Sequence, residues 1–128
     1  MDLLLDTHIL IWWVDEPEKL PGHLYAVLED SANDLFISIA SVWEMQIKHQ
    51  LGKLQFQQPL PQLIANQQQH NGARLISVTL SHVFELNNLP LHHKDPFDRL
   101  LVAQAIVEDM TLVSVDPAFA LYSVKLLS

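Results

Sequence analysis

Short, mainly apolar runs recur along the chain: Leu3-Leu4-Leu5, Leu35-Phe36-Ile37-Ser38-Ile39, Leu75-Ile76-Ser77-Val78 and Leu112-Val113-Ser114-Val115. Between them lie longer stretches whose apolar residues follow helical spacing. Strands of continuous apolar character are buried on both faces, and alternating them with helices gives a parallel sheet covered on both sides. The expected fold is therefore α/β.

The individual elements follow from local signals. Leu3–Leu5 reads as a strand ending at Asp6, with a helix from about Thr7 to Val14. Pro21–Asp30 reads as a second helix, with Leu24, Val27 and Leu28 on one face. Ala40–Leu51 is a helix that Gly52 stops, and another helix lies around Pro61–Gln69. Ser81–Asn87 is helical, and Pro96–Glu108, apolar almost all round, reads as a buried helix. Val124–Leu127 offers a last strand.

Length and charge narrow the class. With 128 residues the chain is expected to form a single domain, residues 1–128, large enough to bury a core without staples. It has no cysteine, which excludes disulfide scaffolds, zinc knuckles and thiol catalysis and fits a reducing, cytoplasmic setting. Gly22, Gly52 and Gly72 are the only glycines, too few and too scattered for a phosphate-cradling loop. The longest apolar run near the start, Ile9–Val14, is far below the ~20 residues a membrane helix needs. Fifteen acids against seven Lys and Arg give a net charge of −8, so no broad basic surface is available for nucleic acid.

The acids fall where such a sheet places its ligands, outside the carboxyl ends of the strands. Asp6 follows the first strand, Asp116 follows Leu112–Val115, Glu44 lies in the helix after the second strand, and Asp95 and Asp98 open the Pro96–Glu108 helix. Singly, each has an ordinary explanation. Asp6, Asp95 and Asp116 stand where a helix cap stands, two of them before proline. Glu44 and Lys48 are spaced as a surface ion pair. Jointly, independent caps need not meet at one sheet edge. Two like charges ~4 Å apart repel by about 4 kcal/mol at an effective dielectric of 20. Such a group either retains protons or binds a divalent cation, and oxygen-only donors select Mg²⁺ or Mn²⁺.

These residues carry a resemblance. The chain resembles the PIN-domain ribonucleases, in particular the VapC-like toxins of type II toxin–antitoxin pairs. The matching pieces are Leu3-Leu4-Leu5-Asp6-Thr7-His8, Ser38-Ile39-Ala40-Ser41-Val42-Trp43-Glu44, Lys48 with Leu51-Gly52-Lys53-Leu54, His93 through Ala105, and Asp116, Phe119 and Tyr122. The resemblance implies a three-layer α/β/α fold with a central parallel sheet of about five strands. It implies endonucleolytic cleavage of RNA aided by Mg²⁺ or Mn²⁺, held by Asp6, Glu44, Asp98 and Asp116, with Asp95 as the cap. It also implies an antitoxin protein from a neighbouring gene and a homodimeric toxin.

Other residues are weighed beside these. Thr7, Ser41 and Ser114 lie near the acids, where a hydroxyl orients a carboxylate or meets substrate. Lys48 and Arg99 either pair with Glu44 and Asp95 or bind phosphate. His92 and His93 suit RNA phosphate better than a hard cation. Trp43, Phe97, Leu100 and Leu101 are expected in the core, and of Trp12 and Trp13 one helix face can bury only one fully. Two other functions remain open. One is an aspartate-nucleophile phosphatase or phosphotransferase, although His8 breaks the D-x-D pairing that chemistry expects. The other is a PIN-like module that only binds partners.

Overall fold

The computed structural model describes residues 1–128. Five parallel strands form one sheet in the order β3-β2-β1-β4-β5. These are β1 (Asp2–Leu5), β2 (Asp34–Ser38), β3 (Arg74–Ile76), β4 (Thr111–Val113) and β5 (Leu126–Leu127). Six α-helices surround it: α1 (Thr7–Asp15), α2 (Gly22–Glu29), α3 (Ile39–Gln50), α4 (Leu60–His70), α5 (Leu80–Glu85) and α6 (Pro96–Val107). This is the three-layer α/β/α architecture expected from the sequence.

Side-chain alternation along β1 builds the two cores. Leu3 and Leu5 point to one face, where they join Ile9, Leu10, Leu24, Met45 and Ile64 from α1 to α4. Leu4 points to the other face and packs with Leu101, Val102 and Ala105 of α6 and with Phe119. A leucine with its neighbours buried on both faces of the sheet cannot tolerate a register slip of one residue. β1 pairs β2 through Leu4↔Phe36 and β4 through Leu4↔Leu112, so the most buried strand is also the central one.

The chain fills one side of β1 with β2 and β3 and then crosses to β4 and β5. The strand order therefore reverses between β1 and β4, and open α/β sheets place a ligand crevice at the carboxyl end of that junction. Asp6 and Ser114 are the residues that leave the two strands there.

Several boundaries differ from the sequence reading. The third strand ends at Ile76, not Val78, and the fourth ends at Val113, not Val115. The Ser114 hydroxyl accepts from the Asp116 backbone N–H at 3.1 Å and turns the chain out of the ladder. The last strand shrinks to Leu126–Leu127. Helix α6 is not buried all round. Its buried stretch is Leu101–Ala105, whereas Phe97, Asp98, Arg99 and Leu100 are half-buried. Trp43 is not in the core either; it is 60% exposed. Its neighbour explains this. Glu44 and Met45 face inward on α3 with Ala40 and Ser41, and a residue one step earlier is rotated about 100° away. Gly52 does end α3, in the left-handed region at φ 72°, where L side chains are strained. No helix is long and apolar enough to cross a membrane.

Candidate active site

Three aspartates precede helical turns, and the structure separates them. Asp95 caps α6, its Oδ1 accepting from Phe97 N–H at 2.8 Å and from Asp98 N–H at 3.3 Å. Asp116 Oδ1 accepts from Ala118 N–H at 2.9 Å and caps the 3₁₀ turn Pro117–Leu121. Asp6 occupies the cap position of α1 but makes no cap hydrogen bond. Its carboxylate instead accepts at Oδ2 from Ser114 Oγ at 2.8 Å, across the β1/β4 junction.

Asp6 is only 3% exposed and Glu44 only 4%. Asp6 Oδ1 and Glu44 Oε1 are both buried with no hydrogen-bond partner. A buried carboxylate oxygen left unpaired costs on the order of 1–3 kcal/mol or more, so two of them at one sheet edge call for a retained proton or a bound cation. Glu44 Oε2 is held by Lys48 Nζ at 2.9 Å, one helical turn on. Asp98 projects from the first turn of α6. Burial pushes its carboxyl up to about 7, and the charges of Asp95, Asp6 and Glu44 push the same way. Burial also raises the Asp6 carboxyl, against the opposing Ser114 hydrogen bond. Three carboxylates, from the residue after β1, from α3 and from α6, thus share one electrostatic environment that penalises their joint ionisation.

An outer group adjoins this inner one. Carboxylate oxygens of Asp98 and Asp116 and a ring nitrogen of His93 lie within 4.8 Å of one another. At Asp116 burial pulls the carboxyl upward, but the Ala118 N–H and His93 outweigh it and hold the group below the usual range. His93 is pinned from two sides. Tyr122 Oη accepts from the His93 backbone N–H at 3.0 Å and lies 3.1 Å from Nδ1, while Nε2 lies 3.1 Å from Asp116 Oδ2. With one hydrogen on the phenol, Tyr122 donates to Nδ1, so Nε2 carries the proton and donates to Asp116. The imidazole also stacks on Tyr122 at 5.5 Å and 13°. Sequence reading set His93 aside as a cation ligand and did not foresee this latch. Its placement in a loop two residues before the capping Asp95 was the available signal.

The expected substrate contacts fall differently. Thr7, Ser41 and Ser114 are all buried. Thr7 Oγ1 donates to Ser41 Oγ at 3.0 Å, and Ser114 serves Asp6 and Asp116. These hydroxyls are buried and hydrogen-bonded within the protein rather than on a surface open to a polymer. Arg99 does not pair with Asp95. Its guanidinium donates to the carbonyls of Pro90 at 2.8 Å, Leu86 at 3.2 Å and Leu89 at 3.5 Å.

The donors present fit a hard divalent cation: unpaired, buried carboxylate oxygens and no sulfur. Comparison with known proteins identifies the family. The PIN domain family model matches residues 3–125. Ribonuclease VapC22 from Mycobacterium tuberculosis is 30% identical over 115 residues, which cover 89% of this chain and 86% of that protein. The fold is similar to the crystal structure of VapBC2 from Rickettsia felis bound to a DNA fragment from their promoter. There the TM-score is 0.76 at 20% identity, over 99% of this chain and 98% of that one. It is similar also to FitAcB from Neisseria gonorrhoeae, with a TM-score of 0.64 at 15% identity over 98% and 96% of the two chains. A family match running nearly end to end, on a fold whose switch point gathers the acids, means that this chain belongs to the PIN domain family.

Proposed function

We propose that this protein is a divalent-metal-dependent endoribonuclease and the toxin of a toxin–antitoxin pair. The observation that carries the reading is the pair of buried, unpartnered carboxylate oxygens on Asp6 and Glu44 beside an Asp98 that resists ionisation. The 30% identity to a ribonuclease supports RNA as the substrate. Asp6, Glu44 and Asp98 would hold Mg²⁺ or Mn²⁺, with Asp116 at the outer lip. When bound, such a cation supplies charge neutralisation and Lewis acidity for phosphodiester hydrolysis.

The chain's own residues prepare the site. Ser114 fixes Asp6 through one oxygen and leaves the other unpaired, where it would be free to bind a cation. Lys48 does the same for Glu44. Thr7 and Ser41 are buried, bond to each other and add no charge. The acids act foremost as ligands.

The VapBC and FitAcB neighbours support an antitoxin partner. An arginine from that partner would pair with the carboxylates, which present bidentate acceptors in a partly desolvated site. A homodimer completes the proposal. It is supported by Leu80 and Phe84, exposed one turn apart on α5.

The test is direct. Purified protein with Mn²⁺ or Mg²⁺ should cleave structured RNA, and EDTA should stop it. Asp6→Asn should keep the circular dichroism spectrum and lose at least about a hundredfold in rate, as expected when a ligand that stabilises transition-state charge is removed. Full cleavage by folded Asp6→Asn refutes the site. Co-expression with the neighbouring gene should yield a complex that no longer cleaves.

A further inference from the structure

We infer that the cleft beside the acids, formed by the segment from Leu86 to Arg99, is a nucleotide subsite that holds the RNA strand next to the scissile phosphate. This rests on the nuclease reading above and names where its substrate lies. The cleft has a volume of about 540 Å³ and is lined by His92, His93, Lys94 and Arg99 together with Leu86 and Leu91. That is room for one nucleotide with its phosphate.

Three observations distinguish it from an ordinary loop surface. The first is charge. The chain carries 15 acids and only seven Lys and Arg, yet two of those seven and two of its seven histidines line this cleft, with no carboxylate among the lining residues. An RNA strand repelled by most of the surface meets two cations here, Lys94 and Arg99, with no acid facing them. The second is position. His93 lines the cleft and also contacts Asp116, whose carboxylate groups with Asp98. A strand lying in the cleft therefore continues directly onto the acids.

The third is preorganisation. The loop is fixed at both ends. Arg99 ties down the carbonyls of Leu86, Leu89 and Pro90, and Tyr122 holds His93 through its backbone and its ring. Loops between elements are ordinarily mobile, and a subsite on one needs such anchoring to bind without a large ordering cost. The cleft also offers a base more than charge. Leu91 is 84% exposed at its rim, and the His92 ring stands edge-on to Tyr122 at 5.0 Å. An apolar lip and an exposed imidazole suit a base face, and a lysine beside them suits its phosphate.

Lys94→Gln tests the idea. The variant leaves the Arg99 and Tyr122 anchors intact. With single-stranded RNA and Mn²⁺ we expect KM to rise about fivefold and kcat to stay within about twofold, as for loss of a phosphate contact away from the chemistry. The slope of log KM against log salt should become shallower by about 0.7, one phosphate contact on a single strand. Lys94→Arg should restore both. Lys125→Gln, which removes the cation paired to Asp109 at the opposite sheet edge, should change neither. Anisotropy of a labelled RNA oligonucleotide in Ca²⁺ should show the same ranking. If wild type cleaves but Lys94→Gln matches Lys125→Gln in KM, slope and binding, the subsite is wrong and the nuclease reading stands. If RNA binds through Lys94 but no metal supports cleavage, the subsite stands and the nuclease reading falls. If Lys94→Gln weakens only the capture of the antitoxin, the cleft belongs to a protein and the inference is overturned.

Discussion

Replacing Asp98 by asparagine should stabilise the metal-free protein above neutral pH and leave it unchanged in acid. The carboxyl sits at about 7 in the folded protein against an ordinary 3.8. Between those values the native state keeps a proton that the unfolded chain has lost. The native state then binds more protons, so stability falls as pH rises through this window. At pH 4 the unfolded carboxyl is only about half ionised, so most of the cost has gone, and below about pH 3 both states are protonated and it vanishes; above about 7 both are ionised and the cost is complete. A shift of about three units corresponds to roughly 4 kcal/mol at ~1.4 kcal/mol per unit. Asp98 is half-exposed, and screening by solvent reduces that to about 2 kcal/mol. For a domain of this size the variant should melt roughly 6–10 °C higher at pH 8. Thermal unfolding by circular dichroism in EDTA, at pH 4 and pH 8, measures it. Millimolar Mn²⁺ should then raise the wild type more than the variant, because only the intact acid set gains binding energy on folding. A gap of equal size at both pH values would refute the reasoning, as would a less stable variant at pH 8. Either would mean that burial and the neighbouring carboxylates do not penalise an ionised Asp98.

Two further outcomes follow from packing. Trp43→Ala should cost only about 1 kcal/mol, the worth of its edge contact with Phe97 at 5.2 Å. By contrast Leu101→Ala, fully buried, should cost about 3 kcal/mol or more. Urea unfolding compares them, and equal costs would show that Trp43 is covered in solution. Tyr122→Phe keeps the ring stack but removes the hydroxyl that accepts from His93 N–H and donates to Nδ1. It should cost about 1–2 kcal/mol and speed hydrogen exchange at the His93 amide, and an unchanged exchange rate would remove the latch.

The fold was largely legible because its signals are local. Leu3-Leu4-Leu5 is too short and too apolar to be anything but a strand covered on both faces, and the alternation of Leu3 and Leu5 on one face with Leu4 on the other settles its register. Asp95 before Pro96 marks a helix start that the backbone N–H groups of Phe97 and Asp98 fulfil. What local signals missed were strand ends. Ser114 sits in an apolar run and reads as ladder, but its hydroxyl turns the chain at Asp116. Trp43 misled for a related reason. Hydrophobicity alone placed it inside, while the inward positions of α3 were taken by Ala40, Ser41, Glu44 and Met45.

The site was legible in its residue types and opaque in its division of labour. In the sequence Asp6, Asp95 and Asp116 look alike, each an aspartate ahead of a helical turn. Capping is a local interaction, settled within three residues, and Asp95 and Asp116 take it. Asp6 forgoes it because a hydroxyl 108 residues away competes for the same carboxylate and draws it across the sheet. His93 depends likewise on partners 23 and 29 residues downstream. Functional geometry here is the part of the structure that local propensity does not satisfy. An acid that fails to cap the helix it precedes, and is buried at a switch point with an oxygen unpaired, has given up roughly 1 kcal/mol of helix stability for a position that a retained proton or a bound cation relieves.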